Sequence, residues 1–289
     1  MKTLLSLLNP LKSGILGLAL LGLTVAASPT AQAAGAKALK FTASGANTSG
    51  SVMTLDHPAL NGKPKLNLII NHRYGAGGRN AHLAGVQYNS TTGRWQIRNE
   101  DGVAIAAGAG FNVLLVPGAK RWSVAPLTTW DYIAYFPTLA KNKPNSLLLA
   151  THLIHTGNGY GGVPLTDSFS TFWNGTEWSI YTDNIADIKA VAFNIADVTK
   201  LKAGNVSSSF KVITNVANTS FDAVVLDHPL LNGKPNAVVF ARHMWQSEYL
   251  TTEAGVYYNG TNWVIYNEDN SNMDTGHAFV VTVVPEATP

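Results

Sequence analysis

His72, His152 and His243 each follow a proline by eight residues, at Pro64, Pro144 and Pro235. An imidazole repeated at fixed spacing can bind a metal or contact a ligand. Were the copies arranged about a threefold axis, three rings could meet as in a three-histidine zinc site. Against this, His72 shares its strand face with Leu66, Leu68 and Ile70, which favours a partly buried, hydrogen-bonded ring. We expect no metal and no other cofactor, and keep the three histidines as candidate ligand contacts.

A second imidazole pattern lies in Asp56-His57-Pro58 and Asp227-His228-Pro229. A carboxylate beside an imidazole suggests a general base, but neighbours on a strand point to opposite faces. Phe136 takes the histidine's place in the middle of the chain, so a turn role is expected. Tyr88, Trp173 and Tyr258 each precede an asparagine of a hairpin turn. Rings beside such turns suit stacking on a sugar, although cross-strand packing explains them equally well. Acids close the following strands, at Glu100-Asp101, Asp183 and Glu268-Asp269. No dense oxygen cluster of the calcium-loop kind accompanies them, so they read as solvated strand ends.

The glycine-rich stretches Gly75 to Gly78 and Gly157 to Gly162 lack the lysine and following helix of a phosphate loop. They read as mobile tips between strands. Neither G-x-S-x-G nor H-E-x-x-H occurs. No catalytic residue is assigned, and the chain is expected not to be an enzyme.

The elements that carry these residues recur three times. Asn61-Gly62-Lys63, Lys141-Asn142-Lys143 and Asn232-Gly233-Lys234 precede the three prolines. Downstream come Trp95 with Ile97, Trp178 with Ile180 and Trp263 with Ile265, the tryptophans 83 and 85 residues apart. A phenylalanine then opens an apolar strand at Phe111, Phe193 and Phe279. Three aligned features at one period define a repeat of roughly eighty residues. In the third copy the strands are Ala223 to Leu226, Ala237 to Met244, Gly255 to Tyr258, Trp263 to Tyr266 and Ala278 to Val284. Asn259-Gly260 suggests a type I′ hairpin. Alternation puts the tryptophans in the core, opposed by solvent-facing residues such as Gln96 and Arg98.

The fold expected is all-β: three tandem repeats, each a small antiparallel sandwich or partly open barrel of about five strands. Boundaries are placed at 34–117, 118–199 and 200–289, with the middle repeat divergent. We expect the repeats to stand in a row; the alternative is one closed body about a pseudo-threefold axis.

Residues 1–33 read as a signal peptide. Lys2 and Lys12 supply charge, Gly14 to Ala27 is apolar, and Ala31-Gln32-Ala33 is an A-x-A cleavage site. The protein is therefore expected to be secreted, extracellular or periplasmic, and free of the membrane once the leader is removed. Its lack of cysteine requires stability without disulfides. The formal net charge of +3 includes both leader lysines, so the mature chain is close to neutral and has no nucleic-acid footprint.

The strings Leu226-Asp227-His228-Pro229, Asn232-Gly233-Lys234-Pro235-Asn236-Ala237 and Gly255-Val256-Tyr257-Tyr258-Asn259-Gly260 resemble a repeat module of secreted bacterial proteins. Trp263-Val264-Ile265-Tyr266-Asn267-Glu268-Asp269 continues the likeness. It covers most of repeats 1 and 3 and part of repeat 2. It implies a secreted bacterial context and no assigned activity. Together these readings point to a binding protein for a polysaccharide or cell-surface polymer. A structural or matrix protein acting by self-association is the alternative, and an enzyme stands third.

Overall fold

The computed structural model describes residues 36–116, 118–123, 133–136, 139–155, 163–184, 188, 191–203 and 206–284. The segment 1–33, expected to be a signal peptide, and the whole glycine-rich stretch Gly157 to Gly162 lie outside the described residues. The compact unit Ala34–Pro289 is all-β in its described residues, with no helix among them long and apolar enough to cross a membrane.

Each repeat supplies six principal strands, one more than expected. The opening strands are Lys37–Thr42, Lys120–Ser123 and Ser209–Ile213. The edge strands are Val52–Leu55, Ile133–Phe136 and Ala223–Leu226, and the histidine strands Leu68–Arg73, Leu148–His155 and Val238–Met244. A hairpin strand follows, at Ala84–Asn89, Phe169–Trp173 and Ala254–Tyr258. It turns back into a tryptophan strand, at Arg94–Asn99, Trp178–Thr182 and Trp263–Asn267. A phenylalanine strand closes each copy, at Gly110–Leu115, Ala192–Asp197 and Ala278–Val284.

Within a repeat, opening, phenylalanine and histidine strands form one antiparallel half-sheet. Edge, tryptophan and hairpin strands form the other. In repeats 1 and 3 the two halves enclose a distinct core, around Trp95 and Phe111 or Trp263 and Phe279. Repeats 1 and 3 are thus small sandwiches, as expected; repeat 2 has the same two half-sheets, but its core around Trp178 and Phe193 runs on into residues of both neighbours.

The sheets run on between repeats. Each histidine strand pairs in parallel with the hairpin strand of the repeat before it: Leu153 with Val86, Met244 with Thr171, and Arg73 with Val256. Three sheets therefore join repeat 1 to 2, 2 to 3, and 3 back to 1, and none closes into a barrel. This is the closed arrangement rather than a row. Short modules gain from it, because the hairpin-strand edge of each repeat is covered by the histidine strand of the next instead of being left to solvent.

Buried polar side chains knit the repeats together. Thr151 Oγ1 accepts from Ile70 N at 2.9 Å, and Asn71 Oδ1 accepts from Ala241 N at 2.8 Å. Asn112 Nδ2 donates to Val239 O at 2.9 Å, and Asn194 Nδ2 to Leu68 O at 3.1 Å. Repeat 3 breaks the pattern, with Arg242 and Val280 at the matching positions. Arg242 turns instead to Glu253, at 3.5 Å, and lies over the Phe169 ring.

The tryptophans occupy like settings. Trp95, Trp178 and Trp263 are buried, and their indole N–H groups donate to Lys63 O, Lys143 O and Lys234 O at 3.0, 2.9 and 2.9 Å. One hydrogen bond thus ties each core ring to the turn before its proline. That turn needs a left-handed residue, filled by Gly62, Asn142 and Gly233. The Asn259 hairpin differs from the expected type I′: only Gly260 has positive φ, and Asn259 Oδ1 accepts from Thr261 N and Asn262 N. The side chain closes an Asx turn in place of a second left-handed residue.

Candidate functional site

Asp56-His57-Pro58 and Asp227-His228-Pro229 are self-capped turns, as expected. His57 Nδ1 accepts from Ala59 N, and His228 Nδ1 from Leu230 N. Asn61 and Asn232 side chains donate to Asp56 and Asp227. No shared proton links carboxylate and imidazole in either turn.

The repeated histidines do meet acids, but those of the preceding repeat. His152 Nδ1 lies 2.8 Å from both carboxylate oxygens of Glu100. His72 Nδ1 pairs with Glu268 and lies 3.1 Å from Tyr266 OH. His243 reaches Asp183 through a hydroxyl: Ser170 Oγ stands 2.6 Å from His243 Nδ1 and 2.7 Å from Asp183 Oδ2. Each acid also accepts a backbone N–H from the loop beyond the histidine strand. The donors are Leu165 at 2.6 Å, Asn80 at 2.8 Å and Leu250 at 3.0 Å. Every junction thus carries a latch of imidazole, carboxylate and amide. Phe111, Phe193 or Phe279 packs against each imidazole, with ring centroids 5.3 to 5.5 Å apart.

These acids are not the solvated strand ends that alternation suggests. Glu100, Asp183 and Glu268 are all buried, and only their neighbours Asp101 and Asp269 face water. The following repeat covers the outer face where the tryptophan strand ends. Nor do the imidazoles share a centre. Each is bound to a different acid, and among the described residues no three His, Asp or Glu groups gather to hold a metal ion.

The latches vary together. Repeats 1 and 3 place Gly85 and Gly255 on the hairpin strand beside a glutamate, where repeat 2 has Ser170 beside an aspartate. A Cβ on Gly85 would lie 2.5 Å from Glu100 Oε1. Glycine makes room for the longer acid, and with aspartate the serine fills the gap and relays the contact.

Burial pushes the Asp183 carboxyl up to about 7 and the His243 imidazole down to about 3. In the unfolded chain such groups titrate at about 3.9 and about 6.5. A depressed imidazole loses stability as pH falls below its unfolded value. A raised carboxyl gains stability as pH falls below its folded value. Between those unfolded values the folded pair holds one proton on Asp183 and the unfolded pair one on His243, so the two effects offset. Asp183→Asn keeps the hydrogen-bonding shape and removes only the gain. Stability of this variant, from urea unfolding at successive pH values, should fall relative to the parent between about pH 7 and 4. Parallel curves for parent and variant would contradict this.

Of the rings proposed for stacking, Tyr88, Trp173 and Tyr258 are half-buried and lean on core tryptophans. The centroid distances are 5.4 Å to Trp95, 5.9 Å to Trp178 and 6.0 Å to Trp263. Other rings reach solvent further. Tyr74 is 46% exposed, Trp245 39% and Tyr249 46%. They were missed because they follow the histidine strands in stretches that do not align between repeats. The signal was there in the register: Tyr74 and Trp245 each stand two residues past a latch histidine. The glycine tip is also more fixed than expected. A Cβ on Gly75 or Gly77 would run into the backbone of residues 107–109, so Gly75 to Gly78 packs against that segment.

No curated protein and no solved structure matches the chain. The family described as "Domain of unknown function (DUF7452)" matches three times, over residues 29–115, 85–197 and 190–283. These successive, overlapping matches span almost the whole described body, and the chain belongs to that family.

Proposed function

We propose that this is an exported binding protein that holds a polysaccharide or cell-surface polymer without chemically altering it. One observation carries the reading. The acids and imidazoles that meet at the junctions are buried and hold repeats together, whereas the side chains presented to solvent there include tyrosine and tryptophan rings. A buried latch offers no accessible acid–base pair to a substrate. Exposed rings offer flat faces that pack on the apolar side of a sugar. The leader-like residues 1–33 support the export part of the reading.

The test is co-sedimentation of the mature chain with insoluble polysaccharide from bacterial envelopes. Saturable binding that survives added salt supports the reading. Absence of binding to any such polymer would overturn it.

A matrix role by self-association has one observation in its favour. Val216 is 90% exposed and Phe221 86%, flanking the outermost strand Thr219–Ser220. Phe221 moreover has a left-handed backbone at φ 51°, where repeat 1 uses Gly50, a conformation costly for a side-chain-bearing residue. Sedimentation velocity over a concentration series, with Phe221→Ser beside the parent, decides whether this edge associates.

A further inference from the structure

The exposed rings sit at matching places in two of the three junctions. Two residues beyond the latch histidines stand Tyr74, Ile154 and Trp245. Tyr74 packs 5.9 Å from both Tyr257 and Tyr266 of repeat 3. Trp245 lies 6.4 Å from Phe172, which is 5.5 Å from Tyr181, and Tyr249 adds a further ring 5.6 Å from Tyr181. Strand register makes Phe172 the counterpart of Tyr257, and Tyr181 the counterpart of Tyr266. At the junction of repeats 1 and 2 the same positions hold Gln87 and Arg98, and Ile154 is buried.

Resting on the polymer-binding reading, we propose that these two ring clusters are separate stations for a neutral polysaccharide, and that the junction of repeats 1 and 2 is blank. The charges beside them argue for a neutral ligand. At the first cluster Arg79 is committed to Asp222, to Asn267 O and to the Tyr266 ring face. At the second, Lys211 Nζ is bonded to Gln246 Oε1 at 3.3 Å, and the neighbouring exposed charge is the acid Glu248. Among the described residues, neither cluster offers the group of uncommitted cations that a uronate or sulfate would need. The exposed large apolar side chains at both are aromatic, with polar tips on the tyrosines. That suits an amphipathic sugar better than the aliphatic knobs of a protein partner. Phe172, Tyr181, Tyr257 and Tyr266 are less exposed and hold the outer rings from beneath, so the faces are fixed before a ligand arrives.

Two stations on one rigid body bind a long polymer jointly, so loss of one should weaken retention at least about tenfold. The experiment is affinity electrophoresis of the mature chain through gels holding a mixed-linkage β-glucan, a xylan, a mannan or the anionic alginate. The parent should be retarded by at least one neutral polymer. Tyr74→Ala and Trp245→Ala should each weaken that retardation, and the double variant should abolish it while unfolding at a temperature close to the parent's. Titration with oligosaccharides of the retarding polymer should count two sites in the parent and one in each single variant. If the double variant is retarded like the parent, or the site count differs from two, the stations are overturned and polymer binding survives. Preferential retardation by alginate overturns the neutral ligand. If none of the four gels retards the parent while it still sediments with envelope polysaccharide, the neutral-glycan stations are overturned; if it does neither, the binding reading itself falls.

Discussion

Glu100→Ala should destabilise the protein by about 3–5 kcal/mol, whereas Asp101→Ala, one residue on, should cost less than about 1 kcal/mol. Glu100 is buried, and its carboxylate takes the His152 ring N–H and the Leu165 amide. Removing it leaves two buried donors without a partner and a void at the junction of repeats 1 and 2. Asp101 pairs with His82 at 2.6 Å, but both side chains are about one-third exposed or more, so water replaces what is lost. For a chain of this size the first change should lower the unfolding temperature by roughly 6–20 °C. Thermal unfolding of the two variants side by side decides the matter. Equal effects would mean that the latch does not carry the junction.

The second large effect concerns the glycine opposite that carboxylate. Gly85→Ser should cost about 1–3 kcal/mol on its own, because the new Cβ would lie 2.5 Å from Glu100 Oε1 and 2.8 Å from Ile154 Cγ1. Glu100→Asp should also destabilise, since the shorter acid no longer reaches His152. Together the two changes recreate the serine and aspartate that repeat 2 uses toward His243. The pair should therefore cost less than the sum of its parts, by about 1 kcal/mol or more in a double-mutant cycle. Strict additivity would show that the glycine–glutamate and serine–aspartate sets are unrelated.

Much of the repeat is legible in the sequence because its signals are local. The tryptophan beside isoleucine, the proline turn and the phenylalanine strand all act inside one copy. The five strands read in repeat 3 lie within a residue or so of those observed. The opening strand Ser209–Ile213 is not among those five, because the polar stretch Lys200 to Ser209 leading into it carries no strand-like alternation. What the sequence hides is whatever crosses a junction. His152 and Glu100 are 52 residues apart and His72 and Glu268 are 196 apart, so neither pair is a neighbour in its own copy. The parallel pairing that joins them involves one or two residue pairs at each junction, too few to leave a periodic trace. Alternation along the tryptophan strand rightly puts Trp95 inside and Glu100 on the other face. It cannot tell that the next repeat covers that face. A clue did exist: in all three copies the acid stands five residues after the tryptophan, and its length changes with the small residue on the hairpin strand.

Tyr74 and Trp245 test the closed ring most directly. Their side chains face solvent, yet the amide of Tyr74 donates to Val256 O at 3.0 Å and that of Trp245 to Thr171 O at 2.8 Å, each in another repeat. Hydrogen exchange read by nuclear magnetic resonance should find both amides as slow as those inside the histidine strands, opening only when the whole body unfolds. Fast exchange at Tyr74, with its own strand still protected, would mean that repeats 1 and 3 do not join and that the ring stands open.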